Sequence, residues 1–298
     1  AASSGAKFWS ERGGFNATVL STTKIGHVHF IWNGNPERFE RFFTGLKPRL
    51  IEGVSHITAN MESRGGGITQ VELLHLPEIE EGYYQIKVGF ETCNAMGANF
   101  INSVLETFAL ILSEEVQQHE AFTPTERQVQ IIMAILSNYT PECLVRSSVE
   151  CHIAELGNFG NMSAIEFANK LVRAVNIARN DTYRAATHNK GIYNGIDAVV
   201  IATGNDFRAI EACGHAYAAR TGKYISLSQA GITDGKLWFK LEVPLAVGTI
   251  GGLTKIHPLA KLSLEMLGNP TAEELMQVIA SVGLAQNFAA VRSLVTTG

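Results

Sequence analysis

The sequence predicts an α+β chain in which a large mixed α/β domain is interrupted by a small β-α-β-β-α domain. Three observations predict it. Between Lys24 and residue 116, strand-like alternation and helix-like spacing follow one another in the order strand, helix, strand, strand, helix. From Thr123 onward helical patterns dominate, with few strands among them. Residues 1–15 read as the end of another helix, closed by Gly13-Gly14, so the small domain is flanked on both sides.

Within Lys24–Trp32 the run IGHVHFIW alternates and reads as a strand. Pro36 then occupies a first helical position, and Phe39, Phe42, Phe43, Leu46 and Leu50 mark one helical face. Residues 68–76 and 83–92 read as two strands joined by a polar turn, and 96–116 as a long helix. That order is the one expected of a ferredoxin-like sandwich. Farther on, 125–137, 162–180, 206–221, 258–268 and 271–297 have helical spacing, and 143–153, 196–203 and 236–247 read as strands. The expected division is residues 1–21 with 138–298 as the large domain and 22–137 as the small one.

Composition narrows the function. With 46% hydrophobic and 17% charged residues over 298 positions, the chain has a substantial core. A net charge of −4 exerts no general pull on nucleic acid or anionic membranes, so any grip on a polyanionic ligand must come from local Lys and Arg. Cys93, Cys143, Cys151 and Cys213 lack CxxC or Cys/His ligand spacing, which argues against zinc and a disulfide framework and for a reducing cytoplasm. No unbroken apolar run reaches the ~18–20 residues of a membrane span, and no signal peptide is visible.

The chemistry concentrates in residues 183–208, YRAATHNKGIYNGIDAVVIATGNDFR. Lys190 lies in the polar run THNKG, where a loop is expected. Ile196–Ala202 is an apolar, β-branched run that reads as a buried strand, and Gly204-Asn205-Asp206 ends it ahead of helical spacing. A cation before this strand and a carboxylate after it make a candidate pair that the fold has to bring together. Taken singly, a surface lysine and a helix-capping aspartate are equally good readings. The other candidate is the loop Asn94-Ala95-Met96-Gly97-Ala98-Asn99, which opens a helix and so presents free N–H groups and a positive dipole end to a phosphate. It is not a GxGxxG fingerprint, and its strand order is not the βαβ unit of a Rossmann site. Arg64-Gly65-Gly66-Gly67 serves equally well as a flexible hairpin lead-in.

Three long motifs, 183–208, ETCNAMGANFIN (91–102) and PLAVGTIGGLTKIHP (244–258) with VGLAQN (282–287), occur in an order that resembles the class II, or bacterial-type, 3-hydroxy-3-methylglutaryl-CoA reductases. The resemblance runs over almost the whole chain. It implies reduction of an acyl-CoA thioester to mevalonate and CoA by two hydride transfers, or the reverse, with NADH or NADPH as cofactor and no metal. It also implies a homodimer, or a larger assembly of dimers, acting on small molecules with no nucleic-acid or membrane partner. Each transfer develops negative charge on a carbonyl oxygen, which an ammonium stabilises. The resemblance assigns that role to Lys190, held protonated by Asp206, and gives the substrate carboxylate to Arg184 with Thr187 as helper. Asn189, Asn194 and Gln286 follow on the substrate side. Asn94, Met96, Gly97, Ala98, Asn99, Asn102 and Asn138 follow on the cofactor side, with Asn94 standing where the family usually has Asp. The resemblance places a proton-donating glutamate just ahead of residue 1 and a flap histidine just beyond residue 298. His188 reads as a packing residue.

Two rivals remain at this level. A βαββα unit can bind RNA, and Tyr83, Tyr84 and Phe90 lie on its third strand, but the consensus and the basic charge are missing. A noncatalytic paralogue that binds CoA or a dinucleotide would not need to retain both Lys190 and Asp206.

Overall fold

The computed structural model describes residues 1–252 and 256–296. Part of the 244–258 motif, residues 253–255, and the last position of the 271–297 helical run therefore lie outside the described residues. The chain forms two compact units, Ala1–Thr22 with Pro141–Gly298, and Thr23–Thr140.

The smaller unit holds β2 (Lys24–Trp32), α2 (Pro36–Gly53), α3 (Ser55–Glu62), β3 (Gly67–His75), β4 (Tyr83–Glu91), α4 (Ala98–Gln118) and β5 (Val129–Leu136). Its four strands form one antiparallel sheet in the order β3-β4-β2-β5. Asn35 caps α2 by accepting the Arg38 N–H, with Pro36 in the first turn. Alternation then sends Val28, Phe30, Trp32, Ile86, Val88 and Phe90 to one face, where they pack under Phe39, Phe42, Leu46, Val104, Phe108 and Leu112 of α2 and α4.

One helix expected here is a strand. Residues 125–137 were read as helical, yet Val129–Leu136 pairs antiparallel with β2, from Trp32↔Val129 to Gly26↔Leu136. The run VQIIMAIL is apolar at nearly every position, so periodicity cannot separate strand from helix, and the open edge of β2 decides. This strand completes β-α-β-β-α-β, with α3 as an addition.

The larger unit holds α1 (Ala2–Ser10), β1 (Asn16–Thr22), β6 (Cys143–His152), α5 (Ala164–Asn180), α6 (Thr182–Ala202), α7 (Phe207–Ala218), β7 (Ser228–Thr233), β8 (Lys236–Pro244), α8 (Pro258–Met266) and α9 (Ala272–Thr296). Its sheet is antiparallel, in the order β1-β6-β8-β7. Sequence reading missed β1 and β7, which are short. Val145, Val149, Phe239 and Leu241 face the helices, where Phe288 of α9 meets Trp9, Phe167 and Phe239. By length and composition α9 could cross a bilayer, but here half of its most apolar window is buried inside this core.

The second correction concerns the central motif. Ile196–Ala202 is not a strand, and Lys190 is not in a loop. Both belong to α6, one continuous helix of 21 residues capped by Asp181, whose carboxylate accepts the Tyr183 and Arg184 N–H groups. A short β-branched run suits a buried helix face as well as a strand, and packing arbitrates. Gly195 lies so close to α9 that a Cβ there would be 2.7 Å from Gln286 Cβ and 2.9 Å from the Val282 carbonyl. The close fit of α6 on α9 is what makes this segment helical.

Candidate functional site

Two groups of predicted residues stand in the structure, one in each unit. In the larger unit, helical spacing puts Thr187, Lys190 and Asn194 on one exposed face of α6. Arg184 is half-buried one turn earlier, beside His188. Gln286 is half-buried against Gly195, adjoining Asn194. Arg184, Thr187, Lys190, Asn194 and Gln286 thus gather along one stretch of α6.

Their buried neighbours hold the stretch in place. Asn189 is 0% exposed, and both ends of its amide are taken: Nδ2 donates to the Ile225 carbonyl at 2.9 Å, and Oδ1 accepts the Leu227 N–H at 3.0 Å. It anchors the lead-in to β7. His188 Nε2 lies 2.6 Å from Ser228 Oγ, which donates to Asn287 Oδ1 at 2.8 Å. Since that hydroxyl has spent its proton on Asn287, His188 donates from Nε2. Burial, with the Arg184 charge nearby, lowers its pKa to about 4, so the imidazole is neutral at physiological pH. His188 is a packing residue, as its position beside Lys190 suggested.

Asp206 caps α7, accepting the Arg208 and Ala209 N–H groups at 3.0 and 3.4 Å. Its carboxylate also binds the Arg208 guanidinium at 3.0 and 3.1 Å, and that bond comes first among the causes that lower its pKa. The single chain does not bring Asp206 to Lys190. The Asn205 N–H bonds the Val200 carbonyl at 2.9 Å, which starts Asp206 beside the last turn of α6. About 15 Å of helix separates residue 200 from residue 190 at 1.5 Å per residue. Sequence reading passed over Asn205, whose Oδ1 accepts the Gly248 N–H at 2.9 Å and ties down the glycine-rich 248–252 segment. Its signal was the Thr-Gly-Asn-Asp turn itself.

In the smaller unit the loop between β4 and α4 carries Asn94, Met96, Gly97 and Ala98, all half-buried, and the exposed Asn99. Gly97 has φ +89° and lies so close to Thr92 that a Cβ would be 2.5 Å from its Cγ2, so the loop requires glycine there. The first-turn N–H groups of α4 follow directly. Asn102 Oδ1 accepts the Leu136 N–H at 3.0 Å, fastening this turn to the end of β5, and the exposed Asn138 follows two residues later. The Arg64–Gly67 run packs against the loop: Cys93 Sγ donates to the Arg64 carbonyl at 3.3 Å, and a Cβ on Gly66 would be 2.6 Å from the Glu91 carbonyl. The four cysteines carry free thiols.

A groove of about 730 Å³ lies elsewhere, lined by Ala2, Phe15, Pro270, Gln277 and Val282 among others, and contains none of the predicted residues.

Comparison with known proteins adds a second line of support. Residues 1–298 match the model of the hydroxymethylglutaryl-coenzyme A reductase family. A 3-hydroxy-3-methylglutaryl-coenzyme A reductase of Archaeoglobus fulgidus is 37% identical over 301 residues, covering 100% of this chain and 64% of its own. A probable 3-hydroxy-3-methylglutaryl-coenzyme A reductase of Borreliella burgdorferi is 33% identical over 258 residues, covering 87% of this chain and 57% of its own. The chain therefore spans less than two thirds of the length of these two relatives. Among solved structures, the class II reductase of Streptococcus pneumoniae, bound to NADPH in open conformations, superposes with a TM-score of 0.88 at 38% identity, over 99% of this chain and 77% of that one.

Proposed function

Because the chain belongs to the hydroxymethylglutaryl-coenzyme A reductase family, we propose that it interconverts 3-hydroxy-3-methylglutaryl-CoA and mevalonate in the cytoplasm, with a nicotinamide dinucleotide as redox partner. The observation that carries this reading is the face of α6. It presents an ammonium, a hydroxyl and an amide together, with a guanidinium one turn away.

Lys190 donates to the carbonyl oxygen of the thioester, and later of the aldehyde, as negative charge develops there. Fixed donors of this kind are worth ~3–4 kcal/mol of barrier. Arg184 receives the substrate's remote carboxylate, where a planar guanidinium offers two parallel donors. Thr187 and Asn194 flank the ammonium and orient the acyl chain, with Gln286 beside Asn194.

Asp206 is the proposed partner that keeps Lys190 charged. Since about 15 Å of helix intervenes within one chain, the reading takes that carboxylate from a second copy in a homodimer. Exposed apolar side chains near both groups suit such an interface: Tyr183, Ile201 and Phe207 are 89%, 57% and 39% exposed.

The cofactor fits the loop ahead of α4. The glycine cradle at Gly97 and the first-turn N–H groups suit a phosphate, and Asn94, Met96, Ala98, Asn99, Asn102 and Asn138 surround the approach. When bound, a reduced nicotinamide would supply one hydride, so the two transfers of the reduction consume two dinucleotide molecules in turn. The test is spectrophotometric, run on the full-length protein with NADH and NADPH in the reductive direction and NAD+ and NADP+ in the oxidative one. CoA-dependent and mevalonate-dependent absorbance changes are expected with at least one dinucleotide; none with either would refute the reading.

A further inference from the structure

Lysine is among the residues least often buried without a paired charge. Lys24, the first residue of β2, is 4% exposed and makes no ion pair among the described residues. Strand alternation puts it on the same side as Gly26 and Val28, the side covered by the helices. At Gly26 a Cβ would be 2.5 Å from Leu105 Cδ1 and 3.1 Å from Ile101 Cγ2, so the first turns of α4 rest directly on this end of the strand.

The ammonium reaches the loop that precedes α4. Lys24 Nζ donates to Thr92 Oγ1 at 2.7 Å, and Thr92 Oγ1 donates onward to the Ala95 carbonyl at 2.7 Å. The Ala95 N–H returns to the Thr92 carbonyl at 3.0 Å. Lysine thus locks the turn that sets Gly97 and the start of the helix. One of its three ammonium hydrogens is used among the described residues.

This is an unfavourable place for a cation by itself. The N-terminus of the 21-residue α4 carries positive partial charge, and a second positive charge beneath it raises the energy of both. Glu91 is in the same neighbourhood, with Oε1 accepting the Cys93 N–H at 2.6 Å, and Glu91 and Lys24 act on the Cys93 thiol in opposite senses. A buried cation and a helix N-terminus on one loop together make a site for an anion.

We propose that Lys24 is a positioning residue for the dinucleotide, fixing the Thr92–Ala95 turn and adding the charge that holds a phosphate at the first turn of α4. The inference rests on the reading that this loop takes the cofactor, and it identifies phosphate as the group recognised there. Lys24 acts through Thr92 and through its field.

The test compares Lys24→Met, Lys24→Arg and Thr92→Val in the full-length protein. It measures NADH and NADPH affinity by fluorescence titration at low and high salt, 3-hydroxy-3-methylglutaryl-CoA affinity by calorimetry, and the ligand-free melting temperature. In Lys24→Met the dinucleotide Kd should rise about tenfold or more, the scale of one lost charged contact, and its salt dependence should flatten. Acyl-CoA affinity should stay unchanged, and the ligand-free Tm should fall only slightly, on the scale of the one hydrogen bond to Thr92 that is lost. Lys24→Arg should restore most of the affinity. Thr92→Val, which keeps the cation and removes its acceptor, should lose less. Unchanged dinucleotide affinity in Lys24→Met would overturn the inference, as would a lowered Tm with both ligands weakened alike. Should Lys24→Met not fold, the charge at residue 24 is structural and the inference fails, unless Lys24→Arg folds and Thr92→Val weakens the dinucleotide alone. A wild-type protein that binds acyl-CoA but neither dinucleotide would instead refute the cofactor reading on which this rests.

Discussion

Asp197 of α6 and Glu211 of α7 are neighbouring acids, close enough for the charge of one to act on the other. Two like charges this near one another disfavour ionising together. Burial first, then the neighbouring Glu211 carboxylate, push the Asp197 pKa up from 3.8 to about 7. Asp197 Oδ1 and the neighbouring Tyr193 hydroxyl are buried with no hydrogen-bond partner among the described residues.

The pair makes stability depend on pH. The folded chain holds the Asp197 proton more tightly than the unfolded chain does. This contribution is therefore fully present below pH 3.8 and is lost as pH rises towards about 7. Asp197→Asn replaces the titrating group with an amide that is neutral at every pH. The expected result is a Tm that falls less between pH 5 and 8 in Asp197→Asn than in the wild type. Parallel melting curves across that range would mean that Asp197 does not titrate there.

Lys190→Ala should fold normally, since the side chain is exposed. A loss of about 10²–10³-fold in kcat is expected for an electrostatic group of this kind. Steady-state rates together with an unchanged circular dichroism spectrum provide the check, and near-normal kcat would remove Lys190 from the chemistry.

Arg184→Ala should separate from it kinetically. Its proposed partner carboxylate is remote from the reacting carbon, so binding is lost equally from ground and transition states. The KM for the acyl-CoA should rise strongly while that for the dinucleotide stays put. Movement of the dinucleotide KM instead would assign Arg184 to the other ligand.

Gly97→Ala and Gly45→Ala form a matched pair. At Gly97 the backbone is left-handed and Thr92 blocks a Cβ, whereas Gly45, exposed within α2, has nothing within 4 Å. Urea denaturation should show Gly97→Ala destabilised by about 1–3 kcal/mol and Gly45→Ala stabilised by about 0.5–1 kcal/mol. Only the first should also weaken dinucleotide binding.

A homodimer is the fifth expectation for the intact protein, because one chain keeps Lys190 and Asp206 apart. Light scattering at micromolar concentration should give at least twice the mass of the chain under test. For residues 1–298 alone the single-chain value is 32.3 kDa. A monomer with full activity would require some other partner for Lys190.

By itself the sequence determined the periodic elements whose faces are unambiguous. The five-residue face Phe39 to Leu50, the alternation of Lys24–Trp32, Pro36 at the start of its helix and the helix-capping reading of Asp206 are local, and they stand as read. It also placed Thr187, Lys190 and Asn194 in one short motif, which a helix and a loop would both have kept close. Tertiary structure decided the rest. Ile196–Ala202 and Val129–Leu136 are equally apolar and β-branched, yet the first packs on α9 through Gly195 and becomes helix, while the second pairs with β2 and becomes strand. Asn189 and Asn194 are alike in sequence, but helical rotation buries the first as a backbone anchor and leaves the second exposed. Lys24 and Thr92 are 68 positions apart, and only the pairing of β2 with β4 brings the cation under the loop. Such relations depend on which surfaces meet, and no window of neighbouring residues contains that information.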